Sequence, residues 1–145
     1  MRKFIVSIDA GTTSNRAILF DLKGKPVFSS QKEFTQYFPK SGCVEHDPEE
    51  IWRTTVKTLR DVIAKAKKLK GKILTIGITN QRETTVLWDK KTGKPVYKAI
   101  VWQDRRQEEF CKKLRKQNKD TMIFNKTGLL IDSYFSGTKI KWILD

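Results

Sequence analysis

The stretch Asp9-Ala10-Gly11-Thr12-Thr13-Ser14-Asn15-Arg16 gathers a carboxylate, three hydroxyls and a guanidinium into one short segment. Glycine and small neighbours let backbone N–H groups approach an anion closely, and the hydroxyls of Thr12, Thr13 and Ser14 add further donors. Arg16 brings a forked guanidinium that matches phosphate geometry. Asp9 closes an apolar alternating run and is placed to hold a cation such as Mg2+, directly or through water. Phosphate binding is the chemistry these residue types indicate, although the same residues also make an ordinary Gly- and Thr-rich hairpin turn. Neither G-x-x-x-x-G-K-[ST] nor G-x-G-x-x-G occurs anywhere in the chain, so the segment is not a Walker A loop or a dinucleotide fingerprint.

A second polar constellation is Thr79-Asn80-Gln81-Arg82-Glu83-Thr84-Thr85, directly after an apolar run. Ligands of α/β proteins sit beyond the carboxyl ends of strands. Adjacent Arg82 and Glu83 present donors and acceptors together, as a polyhydroxylated substrate requires; the alternative is a surface ion pair of little energetic weight. Trp102 and Tyr134 have rings that pack on a carbon skeleton, with the Tyr hydroxyl left to bond a ligand, and either ring equally suits a core. The two cysteines, Cys43 and Cys111, make no disulfide framework, and the single His46 anchors no metal site.

These residues need elements to position them. Phe4–Ile8, Ala17–Phe20 and Val27–Phe34 read as three strands joined by short turns, an antiparallel meander with Gly11–Asn15 in the first turn and Asp21–Pro26 as the second. Asp47 is a helix cap followed by Pro48 at the first helical position and Glu50 three residues on, with Trp52, Val56, Leu59 and Ile63 forming an apolar face. The near-continuous run Ile73–Thr79 predicts a strand buried on both faces, reached by a crossover and lying parallel to its neighbour. Thr84–Trp88 and Val96–Trp102 flank a turn at Asp89–Pro95, and Asp104 with Gln107 predicts a capping box opening a helix that carries Phe110 and Leu114. Ile140, Ile143 and Leu144 lie at helical spacing in the last residues, a face with little following chain to cover it, so an N-terminal fragment is expected.

The chain has 145 residues, 30 of them basic against 16 acidic, a net charge of +14, with 38% hydrophobic and 32% charged residues. That balance suits a globular domain rather than a disordered or fibrous chain. No apolar run is long enough to span a bilayer, and the N-terminus lacks a signal-peptide pattern, so a cytoplasmic location is expected. The basic residues are mostly lysines scattered among acids and concentrated at Lys65–Lys70 and Lys112–Lys116, near the expected ends of helices. Cations there complement the helix dipole, which argues for a solvated surface over a nucleic-acid footprint. A two-metal nuclease needs converging carboxylates, and Asp9 is the single acid in the first strand and turn.

Taken together, these segments closely resemble the N-terminal part of the FGGY carbohydrate kinase family. The resemblance runs from Ile5-Val6-Ser7-Ile8-Asp9-Ala10-Gly11-Thr12-Thr13-Ser14 through Val44-Glu45-His46-Asp47-Pro48 to Lys139-Ile140-Lys141-Trp142-Ile143-Leu144-Asp145. Asn80-Gln81-Arg82-Glu83-Thr84 points to the glycerol-phosphorylating branch of that family. The resemblance implies a ribonuclease H-like, actin-type ATPase fold: an α/β domain with a mixed sheet, of which residues 1–145 are the N-terminal part of the first kinase domain. It implies ATP, Mg2+ and glycerol as ligands, sn-glycerol 3-phosphate as product, and a full-length homo-oligomer. It assigns Thr12, Thr13, Ser14 and Arg16 to the nucleotide phosphates, Asp9 to the metal, and Arg82, Glu83, Trp102 and Tyr134 to glycerol. The family's catalytic base, an aspartate, and most of its adenine pocket belong to sequence downstream of this chain, so the chain alone is expected to lack turnover. The alternatives are a kinase of the same family for another polyol or sugar, and a non-catalytic binding protein.

Overall fold

A computed structural model describes all residues, Met1–Asp145. Its elements in chain order are β1 (Arg2–Ala10), β2 (Ser14–Asp21), β3 (Pro26–Glu33), β4 (Glu45–His46), α1 (Pro48–Lys68), β5 (Gly71–Thr79), β6 (Ala99–Ile100), α2 (Glu108–Lys116), α3 (Asp120–Thr127) and α4 (Ser136–Leu144). They form two compact units: Met1–Thr35 with Asp47–Gln81, and Gln36–His46 with Arg82–Asp145. No helix is long and apolar enough to cross a membrane.

The first unit holds a four-stranded sheet of order β3-β2-β1-β5. The alternating residues of β1 and β2 pair antiparallel with Val6 opposite Leu19 and Ile8 opposite Ala17, as their pattern predicts. The connecting turn is tighter than expected, because Ser14 and Asn15 already belong to β2 and pair with β3. Side chains alternate across a strand, so Phe4, Val6 and Ile8 share one face with Ala17 and Leu19. That face packs on Val62 and Ala66 of α1. Each such buried aliphatic or aromatic side chain contributes roughly 1.5–3 kcal/mol.

Helix α1 begins as the sequence indicates. The Asp47 carboxylate accepts a hydrogen bond from the Glu49 N–H at 2.9 Å, and Pro48 opens the helix. Glu50 does not complete a capping box; its carboxylate accepts from the Thr35 hydroxyl instead. The inward stripe also differs from the expected one. Thr58, Val62 and Ala66 are buried, Leu59 lies at the edge of the core, and Trp52 is 65% exposed. The helix axis lies close to the sheet along its smaller side chains, and the larger apolar ones flank the contact.

The crossover through α1 brings β5 parallel to β1, as expected, with a bulge after Phe4. Its expected burial on both faces is not found. As the edge strand it leaves Leu74, Ile76 and Ile78 exposed, Ile78 at 73%. An apolar run marks a strand that can be covered on both faces, and within this chain nothing pairs with the outer edge of β5.

In the second unit β4 and β6 pair antiparallel, with Glu45 opposite Ile100. The expected hairpin over residues 84–102 is present only as the bridges Thr85–Ile100 and Trp88–Pro95 around a turn in which Asp89 Oδ1 accepts from the Lys91 and Thr92 N–H groups. Pro95 has no N–H to offer a ladder. Asp104 does not cap α2. Its carboxylate is buried and accepts from the N–H of Val44 at 2.7 Å and from the N–H and Nε of Arg106 at 2.8 and 2.9 Å. Arg106 also reaches Glu45 at 2.7 Å; burial opposes its charge, but the bonds to Asp104 and Glu45 outweigh that and hold it cationic. Helix α3 was not legible, since Met122, Ile123 and Phe124 are contiguous instead of spaced at helical intervals; Gly128, which ends it with φ 71°, is the one local signal.

Gly71 tests the core directly, because a Cβ there would overlap the Phe4 ring, whereas a Cβ at Gly77 would meet nothing within 4 Å. Gly71→Ala is expected to lower stability by about 1–3 kcal/mol through overpacking. Gly77→Ala should stay within about 0.5 kcal/mol. Urea unfolding followed by tryptophan fluorescence measures both, and equal effects would contradict this packing.

Candidate functional site

The residues singled out in the sequence fall into two groups, one in each unit. In the first, Gly11–Thr13 link β1 to β2, closed by a hydrogen bond from the Gly11 N–H to the Ser14 carbonyl at 3.0 Å. A Cβ at position 11 would lie 2.9 Å from that same carbonyl, so the tight turn requires glycine. The Thr13 side chain is exposed, and Thr12 and Ser14 are half-buried. The Ser14 hydroxyl accepts from Gln31 Nε2 at 2.9 Å.

Asp9 and Arg16 are direct cross-strand partners, and their side chains meet at 3.4 Å while remaining 42% and 46% exposed. A pair this exposed contributes little, about 0–1 kcal/mol, so either group is readily exchanged for a ligand. No three His, Cys, Asp or Glu side chains gather anywhere to hold an ion by themselves. Mg2+ is commonly held by one or two carboxylates together with substrate phosphates and water, so an exposed Asp9 beside the Gly11–Ser14 turn fits the part of a single protein ligand.

Asn15 is the loop residue whose role the sequence reading missed. It is fully buried, and its Nδ2 donates to the Ile51 carbonyl at 3.0 Å and to the Thr54 hydroxyl at 2.6 Å, tying the turn to the first turns of α1. The signal was available: strand alternation puts residue 15 on the same face as Ala17 and Leu19.

In the second unit Glu83 adopts a left-handed conformation, φ 64°. Its Oε2 accepts from both the N–H of Ser136, at 2.9 Å, and the Ser136 hydroxyl, at 2.8 Å. The carboxylate therefore sits at the N-terminus of α4, where the helix dipole favours negative charge. Both bonds fall on Oε2, which leaves Oε1 to accept from a ligand. The rings of Trp102 and Tyr134 stand edge-to-face with centroids 6.1 Å apart, and the Trp102 N–H donates to the Thr84 hydroxyl. Glu83, Trp102 and Tyr134 are thus brought together from three separate segments. Arg82 adjoins them through the chain, with an exposed side chain that bonds to none of them. A cavity of about 350 Å³ lies in the same unit, lined mainly by apolar residues such as Phe110, Leu114, Ile123, Leu129 and Phe135, with Asp132, Thr138 and Lys141 among its polar members.

Lys139 is a further residue that sequence reasoning passed over, because a lysine reads as surface. It is 1% exposed, and its Nζ donates to the Tyr134 carbonyl. Burial pushes its pKa below the ordinary lysine value, against the opposing fields of Glu83, Asp104 and Asp132.

The profile of the FGGY family of carbohydrate kinases, N-terminal domain, matches residues 4–145. A glycerol kinase of Oceanobacillus iheyensis is 62% identical over 143 residues, covering 99% of this chain and 29% of that protein. A glycerol kinase of Petrotoga mobilis is 58% identical over 145 residues, with 100% and 29% covered. The crystal structure of Plasmodium falciparum glycerol kinase with ADP superposes with a TM-score of 0.91 at 38% identity, over 99% of this chain and 29% of that one. A gluconate kinase from Lactobacillus acidophilus superposes with a TM-score of 0.89 at 24% identity, a likeness of fold alone. The chain spans about 29% of the length of these relatives. Its mixed sheet and crossover are those of the ribonuclease H-like, actin-type ATPase fold.

Within one turn Asn15 is buried and anchored to α1 whereas the Thr13 side chain is exposed, so the two carry different structural weight. Asn15→Ala should cost about 1–3 kcal/mol, since the Ile51 carbonyl and Thr54 lose a buried donor. Thr13→Ala should change stability by less than about 0.5 kcal/mol. Denaturant midpoints of the two variants check this, and comparable losses would show that the whole loop is structural.

Proposed function

The chain belongs to the FGGY family of carbohydrate kinases, and from that premise we propose that it is the N-terminal part of the first domain of an enzyme that transfers the γ-phosphoryl group of ATP to glycerol, giving sn-glycerol 3-phosphate. The observation that carries the substrate is the Glu83 carboxylate, pinned through Oε2 to Ser136 beside the Trp102 and Tyr134 rings. A pinned carboxylate with a second oxygen to offer accepts a hydroxyl at a fixed place, and aromatic faces cover the C–H side of a small polyol. The Arg82 guanidinium, exposed and uncommitted within the chain, supplies donors to the same substrate.

In this reading the Gly11–Ser14 backbone N–H groups and the hydroxyls of Thr12, Thr13 and Ser14 receive the nucleotide phosphates, and Arg16 leaves Asp9 to pair with them. Asp9 would hold Mg2+, which when bound would supply neutralisation of the phosphate charge. Phosphoryl transfer depends mainly on alignment and charge neutralisation, so a phosphate loop and a substrate wall of this kind are the parts it needs most. Proton removal from the attacking hydroxyl is assigned to an aspartate outside residues 1–145. The relatives at about 60% identity and the ADP-bound structural relative support this reading.

Two measurements test it. In the full-length enzyme, Glu83→Ala should raise the glycerol KM about ten- to a hundredfold, since an interaction of about 1–3 kcal/mol is lost, while the ATP KM stays near its original value. Equal losses for both substrates would point to misfolding and remove the assignment. Residues 1–145 alone, given MgATP and glycerol, should release no glycerol-dependent ADP; turnover at about 1–100 per second would place the base within this segment.

A further inference from the structure

Tyr134, Phe135 and Ser136 lead into α4 without a β ladder, yet their main chain is held at several points by side chains. The Tyr134 N–H donates to Asp132 Oδ1 at 2.7 Å, and that carboxylate is itself paired with Arg105 at 3.0 Å. The Ser136 N–H donates to Glu83 Oε2. The Tyr134 carbonyl, between these two, receives the buried ammonium of Lys139. Lys139 lies in the opening turns of α4 and reaches back beneath Tyr134, with Nζ 5.9 Å from the centre of its ring.

We propose that Lys139 is a positioning residue for the polyol wall, its ammonium fixing the Tyr134 main chain so that the Tyr134 ring and the Glu83 carboxylate face the substrate together. The proposal rests on the glycerol-kinase reading above and assigns Lys139 no contact with substrate. Lys139 makes no ion pair of its own, and a methionine of similar length would fill the same space without the desolvation penalty of a buried cation. Packing alone therefore gives no reason for a charge at 1% exposure. Its donor meets a main-chain acceptor that neither the helix nor a strand satisfies, at the residue whose ring lines the site. Its positive field also reaches Glu83, whose Oε1 awaits a hydroxyl. Loss of the ammonium leaves the Tyr134 carbonyl without this donor and lets the segment between Asp132 and Ser136 shift, which acts on the polyol side and leaves the Gly11–Ser14 loop as it is.

The test uses the full-length protein and begins with the unaltered enzyme. If it shows no glycerol-dependent ADP release, the kinase reading itself fails and the proposal falls with it. If it is active and Glu83→Ala raises the glycerol KM, the reading stands and Lys139→Met decides the proposal separately. The expected result is a glycerol KM raised about tenfold or more, an ATP KM within about twofold and a thermal midpoint near that of the parent. Unchanged KM values for both substrates would overturn the proposal. So would a parallel rise in both KM values with a lowered midpoint, which is the signature of a purely structural lysine. If Lys139→Met does not fold, Lys139→Gln is judged by the same criteria, and failure of both variants to fold assigns Lys139 to stability alone and overturns the proposal.

Discussion

Strand parity is the constraint on which the first unit depends. Phe4, Val6 and Ile8 must face α1 to be covered, and so must Ala17 and Leu19 on the neighbouring strand. Once that face is fixed, Asp9 and Arg16 can only emerge on the other one, and the antiparallel register sets them directly opposite each other. A shift of one residue would bury both charges and expose the core. The same parity turns Asn15 inward, where its amide binds the first turns of α1. The Gly11–Thr13 turn is thus tied to the hydrophobic core through Asn15, while Asp9 and Arg16 stay exposed on the opposite face.

The second unit is organised differently. Its strands are short, and polar side chains take over the work that a sheet ladder performs elsewhere. Asp104 binds the Val44 N–H, Arg106 joins Asp104 to Glu45, the Tyr97 hydroxyl donates to Glu45, and Arg115 reaches the Ile131 carbonyl. Buried ion pairs of this kind add little net stability over an apolar core of the same shape, but removing one partner leaves an uncompensated charge. They fix one arrangement of loops strongly. In the same unit Glu83, Trp102 and Tyr134, from three separate segments, are held next to one another by side-chain bonds and ring contact instead of by a ladder.

The contrast explains what the sequence could and could not reveal. The β1–β2–β3 meander, the Asp47 cap and the parallel crossover were legible because each follows from a local rule: alternation, capping and the need for a connection. The inward stripe of α1 was misjudged because large apolar residues draw attention, whereas contact with a sheet selected Thr58, Val62 and Ala66. β5 carries the composition of a covered strand, yet coverage depends on what lies beside it, which no local pattern encodes. Asp104 has the spacing of a capping residue, and a long-range partner, Val44, claimed it instead. Ser136 and Lys139 lay inside a segment noticed for its aromatic residues, and no local rule predicts that a lysine will be buried against a carbonyl five residues earlier.

The net charge of +14 fits the same division. Basic residues occupy the last turns of α1, at Lys65, Lys67 and Lys68, and of α2, at Lys113, Arg115 and Lys116, while glutamates occupy both first turns. Each placement complements the helix dipole. Several cations hold a defined partner drawn from another element or from the main chain: Arg16 beside Asp9, Arg105 with Asp132, Arg106 within the buried carboxylates, Arg115 at the Ile131 carbonyl and Lys139 at the Tyr134 carbonyl. An exposed charge can move or be replaced singly, whereas a buried one such as Arg106 or Lys139 leaves a buried partner uncompensated when it is lost.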